Sequence, residues 1–331
     1  MKKMLLRLAV VLAASLCCCA CNSNHTRFYT RLAESERLDL AIDRFDQDLY
    51  ALDTVQLRQK YGSYLDLYLW QVMGLRSCDS LPRFLADSNV RRLSADVTRI
   101  YTPERTDAVA NELSQAFSYY KHYFPQGQVP RLLFHFSGFG PSHVVADSLL
   151  STSIDNYLGA DFPDYQYIAY QYEIPTMTPE HLPIDMMRAW LTVDLAEAGF
   201  VESNGNLLEG MLYYGRLMYL LKVCFPDREE YEILGYTPEE YAWCKRHEGH
   251  VWGFVSERNE LFSDDRMVQA HYLQPGPFTP GLVEQSPGCV GYFVGLKIIE
   301  SYMKRNKDVD LPGLLSESDA QKILQNSYYR P

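Results

Sequence analysis

Apolar positions recur with a helical period along most of this 331-residue chain, and two stretches depart from that period. The first is the start, where Met1-Lys2-Lys3-Met4 leads into a run from Leu5 to Leu16 that is apolar apart from Arg7 and Ser15. Charge followed by a short apolar run is the order of a secretion leader, and the run is too short to span a bilayer, which takes about 20 apolar residues. The second is residues 131–136, then Gly138-Phe139-Gly140-Pro141 as a turn, then residues 143–147 and 149–154, all of which read as strands. Strands bunched among helices predict one small antiparallel sheet in a predominantly helical α+β fold, and argue against a doubly wound one.

Three helix starts are marked by Thr at the N-cap and Pro at the first helical position, where a missing N–H does no harm: Thr102-Pro103, Thr178-Pro179 and Thr237-Pro238. In the last, Glu240 completes a capping box, so a helix carrying Tyr241, Cys244 and Val251 is predicted. Further helices are expected over residues 54–73, 83–100, 107–123, 206–223, 288–303 and 316–325. The chain then divides into a leader (1–20), a polar tether without sustained periodicity (21–37) and one globular body (38–331), with no repeat or linker inside it.

The leader ends in Cys17-Cys18-Cys19-Ala20-Cys21-Asn22-Ser23, which resembles a bacterial lipobox. Cys21 is the expected lipidation site because small Ala20 precedes it. The place usually held by leucine is Cys18, and Cys17, Cys18 and Cys19 are the weaker choices. Each buried methylene adds about 0.8 kcal/mol, so two or three acyl chains would anchor the protein to a membrane without the body touching it. The composition, 47% apolar and 22% charged, is that of a globular body. The formal net charge of −11 becomes more negative when Lys2, Lys3 and Arg7 leave with the leader, which disfavours nucleic acid and anionic lipid surfaces as partners. Cys78, Cys224, Cys244 and Cys289 remain, in no metal-ligand spacing; free thiols and bridges both stay open.

Chemistry is sparse. Arg246-His247-Glu248-Gly249-His250 places two histidines around a glutamate, but at a spacing of three, whereas H-E-x-x-H needs four for both imidazoles to point to one side. On the apolar helix from Asn206, Glu209, Tyr213 and Arg216 recur at i, i+4 and i+7. They form either a buried network, with Glu209 held by Arg216 and a tyrosine hydroxyl, or the lining of a cleft. Gly288, Gly291 and Gly295 lie along one side of the last long helix, where close approach of another helix would offset their cost; phosphate binding at the helix start is the lesser reading. No P-loop or G-x-S-x-G occurs, and the pairs Asp46/Asp48 and Asp264/Asp265 are expected to be exposed. Many of the 25 tyrosines belong in the core or on a contact surface.

Residues Ile42-Asp43-Arg44-Phe45-Asp46-Gln47-Asp48-Leu49-Tyr50, the helix from Asn206, Tyr236-Thr237-Pro238-Glu239-Glu240-Tyr241-Ala242-Trp243-Cys244 with Glu248 and Trp252, residues 270–280 and Ser286-Pro287-Gly288 with Gly291 and Gly295 together resemble the GldB gliding-motility lipoproteins of Bacteroidota. The resemblance runs from about Ile42 to the C-terminus. It implies an envelope component needed for motility machinery and associated secretion, with no established enzymatic activity. The family is also distantly similar to zincin-type peptidases, and Glu209-Gly210 matches a Glu-Gly pair found in them. The upstream helix around Leu182–Trp190 has no H-E-x-x-H, so the resemblance implies a degenerate scaffold without metal or cofactor, its vestigial cleft at Glu209, Tyr213 and Arg216. The expected role is non-catalytic binding of an envelope protein or peptide from the periplasmic face of the outer membrane. The alternative is a hydrolase with an unconventional zinc site at Glu209, His247 and His250.

Overall fold

A computed structural model describes residues 25–202 and 205–331; the leader and the Cys21 assignment lie outside the described residues. A four-stranded sheet sits between two unequal helical layers. Its strands are β1 (Ile42–Arg44), β2 (Arg131–His135), β3 (His143–Ala146) and β4 (Leu149–Ser153), in the spatial order β1-β2-β4-β3. The expected helix-dominated α+β class holds, but the sheet is mixed and not antiparallel. β1 and β4 flank β2 in parallel, with Leu132 opposite Ile42 and Leu150, and only β3–β4 is antiparallel. The Gly138–Pro141 turn does not close a hairpin on β2. It carries the chain past the β4 position to the edge, because Asp155 accepts from the Ser137 and Phe139 amides and holds the turn over the end of β4.

Strand alternation divides the core. Leu132 and Phe134 of β2 face the large helical cluster, while Leu133 faces a smaller one built on Phe45, Leu57, Tyr64 and Tyr68. In the smaller cluster the rings of Tyr61, Tyr64 and Tyr68 meet Phe45 edge-on at 4.7, 5.1 and 4.8 Å. The helix expected over residues 54–73 is broken there. Gly62 (φ +54°, ψ −128°) separates Thr54–Tyr61 from Ser63–Leu67, and a π turn, Tyr68–Val72, follows. The helix expected over 83–100 is likewise two, Leu81–Ala86 and Ser88–Ile100, since Asp87 caps the second through the amides of Asn89 and Val90.

The capping signals fare better. Thr102 caps Pro103–Tyr123, and Thr237 caps Pro238–Glu257 with the reciprocal Glu240 bond at 2.8 Å. Thr178 instead starts a turn, accepting from the His181 amide, and the helix begins later as Leu182–Glu197 with its proline at 183.

In the large layer the helices Leu207–Cys224 and Val290–Arg305 make the most extensive packing contact. The glycine stripe explains it. A Cβ on Gly295 would overlap the Met211 carbonyl, one on Gly215 would overlap the Gly295 backbone, and one on Gly291 would lie 2.7 Å from a Leu273 methyl. Beside this seam, Lys222 and Lys297 both pair with Glu230 and Glu300, and the Tyr241 hydroxyl donates to Glu230 at 2.9 Å. Burial alone would raise the Glu230 carboxyl, but the two lysines outweigh it and bring it down to about 2.

Residues 25–37, read as tether, pack on the body in place of standing off it. Arg27 donates to the carbonyls of Met303 and Asn306, and the Tyr119 and Tyr123 hydroxyls donate to the carbonyls of Thr30 and Phe28. Asp46 is also not exposed as expected: it is 4% accessible and paired with Arg44. Cys78, Cys224, Cys244 and Cys289 are all free thiols. No helix among the described residues is long and apolar enough to cross a membrane.

Candidate functional site

Glu209, Tyr213 and Arg216 line a single cavity of about 630 Å³, together with Phe124, Leu195, Phe200 and Leu315. The three share this wall because they recur at helical spacing on Leu207–Cys224, which is capped by Asn206 through the Glu209 amide at 3.2 Å. Among the described residues Glu209 and Arg216 do not pair with each other. The Glu209 carboxylate accepts from the Asn206 side chain at 2.9 Å, and Arg216 goes elsewhere. Its Nε donates to the Leu212 carbonyl at 3.1 Å, and Nη1 donates to the carbonyls of Leu315 and Glu317 at 3.4 and 2.8 Å. The guanidinium lies 4.9 Å from the Phe200 ring centre, and Tyr213 stacks on the same ring at 4.9 Å. No carboxylate among the described residues forms an ion pair with Arg216, and burial lowers it to about 10 against the opposing pull of Glu317. Glu317 itself bonds Lys322 and the Asp319 amide.

The histidine string forms no site with this wall. The His247 ring stacks on Trp243 at 4.5 Å, and its Nδ1 is 2.8 Å from the Trp243 carbonyl. His250 is exposed. Among the described residues no three His, Cys, Asp or Glu side chains form a group able to hold a metal ion.

A second polar constellation was missed. At the start of Leu182–Glu197, Asp185 pairs with Arg188, lies 3.4 Å from His181 Nε2 and accepts from the Tyr157 hydroxyl at 3.0 Å. His143 on β3 is 3.3 Å from the same phenol oxygen and 3.0 Å from Thr152 Oγ1. Burial would raise the Asp185 carboxyl, but Arg188, His181 and His143 hold it far below the usual carboxylate range. Burial pushes the His143 imidazole below its usual range. The cluster opens on two cavities, of about 290 and 230 Å³, divided by Glu173 and Thr176. The signal was present in the sequence, since His181, Asp185 and Arg188 stand at i, i+4 and i+7 where an apolar helix begins. His181 and Asp185 have the spacing of the two histidines in H-E-x-x-H, but an acid fills the second place and a guanidinium engages it.

With this geometry in hand, a family comparison decides identity. Residues 30–331 match the family described as gliding motility protein GldB. The chain belongs to the GldB family. As a GldB protein it is a gliding-motility-associated lipoprotein, and its class places it with the cell envelope. The family match thus begins within the segment that packs on the body and runs through both constellations to the C-terminus. No curated protein and no solved structure matches the chain.

Proposed function

We propose that this GldB protein is a non-catalytic part of a gliding-motility and secretion-associated envelope assembly, anchored through a lipid on Cys21 and holding a protein or peptide in the Arg216 cleft. The anchor would place it on the periplasmic face of the outer membrane. One observation carries the binding role: a cavity of about 630 Å³ with an apolar wall and one half-buried cation that no carboxylate among the described residues pairs. Concave, mostly apolar sites with a few fixed polar groups are where ligands are held. Polar groups that a hydrolase could draw on are bonded to protein neighbours. Asn206 engages Glu209, Trp243 engages His247, and Arg188 engages Asp185.

The test uses tagged protein with Cys21 intact, isolated from native membranes beside Cys21→Ser and Arg216→Gln. Cys21→Ser is expected to leave the membrane fraction, and Arg216→Gln to stay there but lose its co-purifying partner. Partners retained by Arg216→Gln would remove the cleft from the account. Stoichiometric zinc in purified protein, lost with Glu209→Gln, would replace it with a hydrolase.

A further inference from the structure

The Arg216 cavity does not end at its own walls. Phe124, Leu195, Ala198 and Pro312 are shared with a neighbouring cavity of about 450 Å³, so the two form one groove. The ends differ in charge. At one end is Arg216, whose Nε and Nη1 are locked on three main-chain carbonyls while Nη2 hydrogen-bonds to no described residue. At the other are Asp194 and Glu197, with the Tyr120 hydroxyl donating to Asp194. Between them the wall is apolar, and Val201 on its rim is 59% exposed.

A guanidinium fixed in its plane and forming no ion pair with a described residue is suited to a carboxylate, which accepts charge-assisted bonds from it. The two carboxylates that share its cavity are already engaged, Glu209 by Asn206 and Glu317 by Lys322. A plain acyl chain with an acidic head would satisfy Arg216 but leave the acidic end of the groove without a counterpart. A polypeptide terminus satisfies both, because it carries a carboxylate at its end and side chains of either sign behind it.

We infer that the groove holds the C-terminal end of a partner polypeptide, with the terminal carboxylate on Arg216, the last apolar side chain against Phe200 and Leu315, and a basic side chain further back near Asp194 and Glu197. This rests on the reading of the cleft as a binding site and names what enters it. The mode is capture of a chain end, a recognised route to peptide specificity.

The experiment selects short random peptides with free C-termini on the purified protein, then measures each selected peptide by fluorescence anisotropy as free acid and as C-terminal amide. Apolar last residues should be enriched. Amidation should weaken binding about tenfold or more, the scale of a charge-assisted bond. Arg216→Gln should weaken the free acid similarly and leave the amide nearly unchanged. The amide comparison uses the unmodified protein, so it stands even if the variant folds poorly. Equal binding of acid and amide, selection of no peptide, or binding of decanoate where no peptide binds would each overturn the inference. A native partner lost with Arg216→Gln but indifferent to its own C-terminal carboxylate would refute this inference alone; no cleft-dependent partner would refute the wider reading.

Discussion

Replacing Gly295 by alanine tests whether the two central helices touch backbone to backbone. In an isolated helix the change stabilises by about 1 kcal/mol, since alanine loses less chain entropy. Here the new methyl would occupy the Met211 carbonyl, an atom fixed in its own helix, so it has no flexible neighbour to displace. The helices must part, loosening a seam that includes buried Met211, Leu212, Val294 and Ile298. Overpacking of this kind costs about 1–3 kcal/mol and occasionally more. Backbone contact puts it at the upper end, leaving a net loss of about 2 kcal/mol after the propensity gain. Gly253 provides the control. On Pro238–Glu257 its added Cβ would meet nothing closer than a Glu257 oxygen at 3.8 Å, so Gly253→Ala should stabilise by about 0.5–1 kcal/mol. Urea unfolding followed by circular dichroism gives both midpoints, with unchanged slopes showing that the folded state is intact. If Gly295→Ala unfolds at the same or a higher urea concentration than wild type, the close-contact argument is wrong.

Three further outcomes follow from the same packing. Asp185→Asn leaves Arg188 beside a neutral amide and should cost about 2–3 kcal/mol in urea unfolding; a change within about 0.5 kcal/mol would show that the cluster is not coupled to the fold. Glu230 is lowered from 4.5 to about 2 in the folded protein, so its contribution is complete above about 4.5 and is lost as pH falls toward about 2. Wild type should therefore lose urea resistance below pH 4.5 more steeply than Glu230→Gln, and parallel profiles would contradict the assignment. Gly62→Ala must hold a side chain at φ +54°, ψ −128°, and should lower stability by about 2 kcal/mol; an unchanged unfolding midpoint would show that the break tolerates a Cβ.

What the sequence discloses and withholds has physical causes. Thr237 with Glu240 can be read directly because a capping box is a local bargain among four residues. The strand Ile42–Arg44 cannot, since three residues carry no period and owe their conformation to pairing with Leu132, Leu133 and Phe134 far along the chain. Strand order is hidden for a similar reason: turn residues announce a reversal but not which strand lies across it. The break at Gly62 escapes because the apolar spacing continues through Tyr61, Tyr64 and Tyr68, and only their convergence on Phe45 shows why the helix must stop. Helical spacing puts Glu209, Tyr213 and Arg216 on one wall of a cavity. Spacing alone left a network and a cleft lining both open, because the acceptors for Arg216 are carbonyls of Leu315 and Glu317, a hundred positions on and silent in any side-chain pattern. His181, Asp185 and Arg188 were readable in principle, as two charges on a buried helix that require partners.

A photo-crosslinking amino acid at Val201 tests in living cells whether the anchored body grips a partner in the Arg216 cleft. Val201 is on the exposed rim, so the probe adds no strain and faces whatever enters. Illumination is predicted to give one discrete adduct with an envelope protein, absent when Arg216→Gln is present and absent from a control probe at Trp70, which is equally open but remote in sequence and outside the cleft lining. No adduct at Val201, or the same adduct from both positions, would contradict it.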